Sequence, residues 1–458
     1  MNVSFHELIG TQPPEYTHDV NMHGACLENT FVILDDDPTG CQTVHDVPVL
    51  FSWETSILEK VLGEQPHLLF ILTNTRSMPE HAAKEVIGEV MRNLVKAAKA
   101  AGRKFIVISR SDSTLLGHYP AELDAIEEHL EGGPYMHCLI PAFFPGGRYT
   151  CNNIHYVREG GMLVPAAATP FAEDSVFGYA HSELPAYIEE KTGNAISSSE
   201  VLTFSVEELR KGGPDHVREK LRSSNSKACV VNALAQTDLD VFAAGAWEAI
   251  LTGKRILFRT GASFINSFGC IPVKEPLGRS ALRSNSDKGG LIVVGSHLRK
   301  SSDQLLPLIE SAHLIPLELH VQELLAGLEK EIVNSFAERT DKLISKGRHV
   351  LIYTSRELIQ SGDPNRNIEI RKIVSKALVE IVKGIKTTPS FLVAKGGITS
   401  YDIASQALQF RRATVIGQAL PGVPVIVPDE RPLMKYVTFP GTVGDQQDLL
   451  NLFKILTD

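Results

Sequence analysis

Cysteine is scarce in this chain of 458 residues, and the six present form no CxxC pair. Cys26, Cys41, Cys138, Cys151, Cys229 and Cys270 lie far apart. That spacing disfavours a disulfide framework or a structural zinc site and points to reduced thiols in a cytoplasmic setting. Long hydrophobic runs are lacking too: none reaches the ~18 residues that a membrane helix requires. Met1 to Thr30 contains acidic residues and no apolar stretch of the secretory kind, so it reads as an extended arm rather than a signal. A basic excess is missing, with 45 Lys and Arg against 54 Asp and Glu and a net charge of −9. Nucleic acid is therefore an unexpected partner, because phosphate neutralisation needs a basic face. The 16 histidines show no HxH or HxxxH pairing, which leaves no histidine metal site to propose. His118 and His297 fall near loops, where solvated or supporting roles are expected, and Trp53 and Trp247 read as packing residues. Neither GxGxxG after a first strand nor GxxxxGK[ST] occurs, which disfavours a standard dinucleotide fold and a P-loop.

What is present is ordinary globular chemistry, with 43% hydrophobic and 22% charged residues. The length is about three times a typical ~150-residue domain, so two or three domains are expected. Short β-rich runs alternate with helical patterns, the mark of stacked βαβ units. Phe31–Leu34, Leu68–Leu72, Lys104–Ile108, His137–Ile140, Ala228–Val231 and Ile256–Phe258 are strand candidates in the first half. Ala83, Val86, Ile87, Val90, Leu94 and Ala98 recur at helical spacing between Pro79 and Gly102. From Phe144 to about Leu202 the pattern is irregular and rich in Gly, Pro, Ala and Ser, as in an elaborated insertion or binding loop. Lys274 to Gly290 is polar and aperiodic and reads as a linker. A second series follows at Leu291–Val294, Leu314–Ile315, Val350–Tyr353, Phe391–Val393, Thr414–Ile416 and Tyr436–Phe439. The expected fold class is α/β, with two α/β domains (residues 30–273 and 291–458) whose mostly parallel sheets face an interdomain cleft.

Open parallel sheets bind ligands beyond the carboxyl ends of their strands, and there the sequence is polar. Asp35-Asp36-Asp37-Pro38-Thr39-Gly40 follows the first strand, and three adjacent carboxylates need a cationic or hydrogen-bonding answer. An Asp-rich capped turn is the plainer reading. Thr73-Asn74-Thr75-Arg76-Ser77, Ser109-Arg110-Ser111-Asp112-Ser113-Thr114 and Pro145-Gly146-Gly147-Arg148 follow three further strands. An Arg in each suits an anionic, hydroxylated ligand, since Arg grips a carboxylate through two parallel hydrogen bonds. Strand ends of the second half are glycine-rich instead: Gly295-Ser296, Lys395-Gly396-Gly397-Ile398-Thr399-Ser400, Gly417-Gln418, Pro421-Gly422-Val423-Pro424 and Gly441-Thr442-Val443-Gly444. Such loops let backbone N–H groups approach phosphate oxygens, or they are tight turns of a compact domain.

Together these segments resemble the four-carbon acid sugar kinase family, in order and in both halves, from about residue 31 to 455. The family's DDxTG, RS, (K/R)xDST and FPxxGR-like motifs are matched by Asp36–Gly40, Arg76-Ser77, Arg110–Thr114 and Phe144–Arg148. Its GS, GGxTS, GxxxPGVP and final GxxG segments are matched by Gly295-Ser296, Gly396–Ser400, Gly417–Pro424 and Gly441–Gly444. The DDDPTG, GGRYT and KGGITS wording is similar to a branch fused to class II aldolases. Two departures stand out: Ile398 occupies a position where many members have Glu, and the middle segment around Thr169–Phe171 and Phe177–Tyr179 lacks the more usual HP-containing loop.

The resemblance implies a kinase that phosphorylates threonate, erythronate or 3-oxo-tetronate with ATP and Mg²⁺. It implies an N-terminal domain in which some of Arg76, Arg110 and Arg148 hold the carboxylate, with Asp36 and Ser113 nearby. Asp37 or Asp112 is then the base, and Asp36 is a third choice. Ser296, Gly396, Gly397, Ile398, Thr399 and Gly441 would lie nearest the nucleotide. Domain closure would exclude water. A homodimer is compatible with this reading. Two other classes stay open: a nucleotide- or sugar-acid-sensing module without turnover, and an NAD-dependent sugar-acid dehydrogenase.

Overall fold

The computed structural model describes residues 2–18, 20, 29–37, 39–284, 286–296, 299–311, 313–356, 359, 364–441 and 443–457. Pro38, His297 and Thr442 lie outside the described residues, as does most of the stretch from 19 to 28. The chain divides into two compact units, Met1–Val44 with Trp53–Val273, and His45–Ser52 with Lys274–Asp458.

In the first unit seven strands form a wholly parallel sheet: β1 (Asn29–Asp35), β2 (Leu68–Leu72), β3 (Lys104–Arg110), β4 (Met136–Ile140), β5 (Leu202–Phe204), β6 (Ala228–Val231) and β7 (Ile256–Thr260). Their order is β5-β6-β4-β7-β3-β1-β2. Phe31, Val32, Ile33 and Leu34 of β1 are all buried, as are all five residues of β2. A strand covered on both faces has no polar side to show, which is why the sequence reads as unbroken apolar runs. The helix Glu80–Ala101 starts after Pro79 and ends where Gly102 takes a left-handed φ of 62°, a conformation that costs glycine little.

The irregular middle segment folds as a small antiparallel sheet of Val3–Ser4, Met162–Pro165, Ile154–Glu159 and Arg148–Cys151. Asn152 and Asn153 both adopt positive φ (51° and 64°) and join two of these strands, as the primed hairpin turns require. The described part of the N-terminal arm is docked on the first unit. Leu8 packs with Tyr149, Tyr156 and Leu163, and the guanidinium of Arg210 donates to the Pro13 carbonyl at 2.7 Å.

The second unit contains β8 (Leu291–Val294), β9 (Leu314–Leu319), β10 (His349–Thr354), β11 (Phe391–Lys395), β12 (Arg412–Leu420), β13 (Val423–Pro428) and β14 (Lys435–Phe439). The order β14-β11-β8-β10-β9 is parallel, whereas β12 and β13 are antiparallel additions beside β14. Val47–Leu50 completes this unit as an antiparallel partner of β12. The core unites Ile292, Val393, Val437 and Phe439 of the sheet with Leu449, Leu452 and Phe453 of the C-terminal helix.

Three readings of the sequence are amended. Residues 45–52 group with the second unit, because Val47–Leu50 pairs antiparallel with β12 there. Residues 274–290 are not a free tether: Leu282 is fully buried in the second unit's core, with Leu277 packed beside it. Gly417 and Gln418 lie inside β12, and Pro421-Gly422 turns the β12–β13 hairpin, with the Gly422 N–H donating to Gln418 Oε1 at 2.7 Å.

Candidate functional site

The ends of β1, β2, β3 and β7 converge in the first unit on a buried network of carboxylates and guanidinium groups. Arg76, in the turn after β2, donates to Asp36 Oδ1 at 2.5 Å and to Asp37 Oδ2 at 2.8 Å. Its guanidinium lies 3.7 Å from Asp112 Oδ1. Asp36 receives Ser111 Oγ at 2.5 Å and faces Arg259 at 3.5 Å, both on Oδ2. Arg259, the penultimate residue of β7, also bonds Glu122 and Ser109 Oγ, the latter at 2.8 Å. Burial pushes the Asp36 carboxyl above its ordinary range in spite of the two arginines. Burial pushes Asp37 upward as well, but Arg76, Arg110 and two bonds from Thr39 outweigh it and leave this carboxyl below the usual range. Asp35 is fully buried, and desolvation raises it to about 7 against the pull of Arg110.

The three predicted arginines therefore have different duties. Arg110 is buried and spent on Asp35 Oδ1 and Gln42 Oε1, both at 3.2 Å. Arg76 is spent on the acidic trio. Arg148 bonds the Gly146 carbonyl and lies 5.9 Å from the Phe171 ring centre. Among the described residues it has no carboxylate within ion-pair distance, and its buried Nε is without a partner. Burial lowers its pKa, and Asp112 opposes that shift. Asp112 is one-fifth exposed. Its Oδ2 accepts from the Thr114 N–H at 3.0 Å and from the Thr114 hydroxyl, so Oδ1 is left without a hydrogen-bond donor. Ser113 is buried, and its carbonyl accepts from His155.

In the second unit the loops after β8, β11 and β14 lie side by side, because these three strands are neighbours. They carry Ser296, Gly396 to Thr399, and Gly441. A Cβ built on Gly295 would stand 2.4 Å from Thr399 Oγ1, and Gly396 has a φ of 110°, so the β8 and β11 loops pack closely only because both residues are glycine. Ser301 Oγ donates to Ser296 Oγ at 3.0 Å, and Gln304 Nε2 holds the Val443 and Asp445 carbonyls at 3.1 and 2.7 Å. Ile398 is half-exposed on the first turn of the helix Gly397–Asp402. Beneath them Lys395 is fully buried, with Nζ donating to the Pro440 carbonyl at 2.7 Å and lying 4.2 Å from the Phe439 ring centre.

Comparisons with known proteins assign a family domain to each half of the chain. Residues 31–268 match the sugar-binding N-terminal domain, and residues 291–449 match the nucleotide-binding C-terminal domain. The chain belongs to the four-carbon acid sugar kinase family. Solved structures of similar fold include a Salmonella typhimurium LT2 protein carrying the provisional name of a tRNA synthase. It has a TM-score of 0.68 and 16% identity, with 92% of this chain and 98% of that one covered. A Haemophilus influenzae protein of the DUF1537 family has a TM-score of 0.61 and 15% identity, with 93% and 98% covered. No curated protein matches.

In this member of the family, sequence reasoning missed a role for Arg259, Glu122 and Lys395. Arg259 and Lys395 each end an apolar strand run (Ile256-Leu257-Phe258 and Phe391-Leu392-Val393-Ala394). A charge there is a signal in itself, since Lys and Arg are rarely buried without a partner or a task. Gly40 of the DDDPTG turn has a steric reason of its own: an added Cβ would lie 1.8 Å from Asp35 Oδ2. Gly40→Ala is expected to destabilise the first unit by about 3 kcal/mol, as overpacking against an immobile group does. Urea unfolding checks this, and a change below about 0.5 kcal/mol would show that the turn relaxes.

Proposed function

We propose that the protein is an ATP-dependent, cytoplasmic kinase that phosphorylates a hydroxyl of a small four-carbon sugar acid such as threonate, erythronate or 3-oxo-tetronate. One observation carries this reading. Arg148 has no carboxylate partner among the described residues, though Asp112 is near enough to raise its pKa, and Asp112 Oδ1 accepts no hydrogen bond, at the end of a sugar-binding sheet, in a chain whose other half is a nucleotide-binding domain. A carboxylate substrate satisfies the first and an alcohol satisfies the second.

In this reading Arg148 receives the acid's carboxylate, and Asp112 accepts the proton of the attacking hydroxyl. Asp37 is the poorer base: both its oxygens are occupied, and its lowered pKa weakens proton affinity. Asp36 is buried and fully engaged, so it and Arg110 serve as framework. Ser296, Gly396, Gly397, Thr399 and Gly441 offer close backbone approach for the phosphates of ATP, and Ile398 offers an apolar surface. Among the described residues no group of three or more His, Cys, Asp or Glu side chains could hold a metal ion. Magnesium would come with the nucleotide and neutralise charge on its phosphates.

The test is ATP consumption by the purified protein across threonate, erythronate and 3-oxo-tetronate, with phosphorus NMR of the product. Formation of a phosphate ester on one acid is the expected outcome. Binding of ATP and acid without turnover would replace the kinase by a sensing module.

A further inference from the structure

The loop Asp112–Leu115 is held in an unusual way. Three consecutive backbone carbonyls, those of Ser113, Thr114 and Leu115, each accept a hydrogen bond from a buried side chain. The donors are His155 Nε2 at 2.7 Å, Tyr179 Oη at 2.8 Å and Tyr187 Oη at 2.9 Å. All three come from the middle segment and none from the parallel sheet. Thr150 Oγ1 lies 2.9 Å from His155 Nδ1. A hydroxyl donated into that nitrogen places the ring proton on Nε2, aimed at Ser113. Burial drops His155 to about 4 and raises both tyrosines, so all three stay neutral donors around neutrality.

Two further features show that the loop needs holding. Leu115 has a φ of 68°, a left-handed conformation that a branched residue keeps only when its surroundings impose it. Beneath the loop is a cavity with room for about one water, lined by Asp112, Leu115, Tyr119, Arg259 and Thr260. The buried Tyr119 and Thr260 hydroxyls there have no partner. Packing at the cavity is therefore incomplete, and Tyr187, which also lines it, joins His155 and Tyr179 in fixing the loop.

We propose that His155, Tyr179 and Tyr187 are positioning residues for Asp112, and that the middle segment exists in part to clamp this strained loop in its working conformation. The inference rests on the kinase reading for its catalytic consequence, and on the hydrogen bonds alone for the clamp.

Tyr179→Phe and Tyr187→Phe each remove one O–H. Each is expected to lower kcat for threonate with ATP about tenfold, and the pair about a hundredfold, the range that small misplacements of reacting groups produce. The KM for ATP is expected to stay within about twofold, since the clamp and the nucleotide loops belong to different units. His155→Leu loses similarly, whereas His155→Gln, which keeps an N–H donor, recovers most of the rate. Amide hydrogen exchange of Leu115 to Gly117 should accelerate about tenfold in the Phe variants. Wild-type kcat in folded Phe variants, or losses that only track the unfolded fraction, would overturn the positioning role. If the wild-type protein turned over none of the acids, the kinase reading would fail and the catalytic consequence with it. The exchange rates would still decide the clamp, unchanged exchange overturning it.

Discussion

Asp112→Asn is expected to lower the rate of ATP turnover by roughly 10²- to 10⁴-fold, the usual weight of a positioned general base. The geometry makes this substitution cleaner than most. Asp112 Oδ2 accepts from the Thr114 N–H at 3.0 Å and from its hydroxyl, and an amide oxygen can keep both bonds. Oδ1 accepts no hydrogen bond and lies 3.7 Å from Arg76, so an amide nitrogen there disturbs little. What is lost is the capacity to take a proton. ATP affinity should therefore stay within about twofold, and the unfolding midpoint should scarcely move. Asp37→Asn makes the contrast. It removes a charge that answers Arg76 at 2.8 Å and is expected to cost about 1.5–3 kcal/mol of stability along with activity. A wild-type rate in Asp112→Asn, measured on the acid that the protein prefers, would take Asp112 out of the reaction and return the choice to Asp37.

The strand-end clusters were legible because a doubly covered parallel sheet compresses its chemistry into the few residues after each apolar run. DDDPTG and NTRS each stand directly behind four or five buried residues and SRSDST behind the partly to fully buried run Phe105–Ile108, and the structure brings these three together. Their internal allegiances were not legible. That Arg110 turns to Asp35 and Gln42 while Arg148 stays unpaired depends on side-chain directions over 68 to 75 residues of sequence separation. Glu122 stands in the first turn of the helix Ala121–Glu127, yet it is buried against Arg259 and Thr75. The middle segment failed as a pattern because its strands of four to six residues are too short for alternation to declare itself. Asn152-Asn153 was the available signal for a hairpin. The Gly417–Pro424 segment looked like a phosphate loop because glycine serves hairpins and anion cradles alike, and only the antiparallel register separates them.

Lys395→Met is expected to stabilise the second unit while weakening its hold on ATP. Lys395 is fully buried and makes one hydrogen bond, to a neutral carbonyl. Burial, aided by Lys300 and opposed by Asp448, lowers it from 10.5 to about 7. Between those two values the unfolded chain binds a proton that the folded chain lacks, so stability rises with pH across that window. At or below pH 7 the penalty of the buried charge is present in full, on the order of 4–5 kcal/mol. Met fills a similar volume and removes the charge, at a cost of about 1–3 kcal/mol for the abandoned Pro440 carbonyl. The net gain at pH 6.5 should be a few kcal/mol, and it should shrink steadily toward pH 9.5 in urea titrations of the two proteins. A group kept at such expense directly beneath Gly396 has a use, in the way that active sites trade stability for charge. Nucleotide phosphates would favour the protonated form, so ATP affinity should fall about tenfold in the Met variant. In the wild-type protein it should also weaken between pH 7 and 9, and in Lys395→Met it should not. A Met variant no more stable at pH 6.5, and binding ATP as tightly as the parent at both pH values, would make Lys395 a packing residue and leave the phosphates to the backbone N–H groups alone.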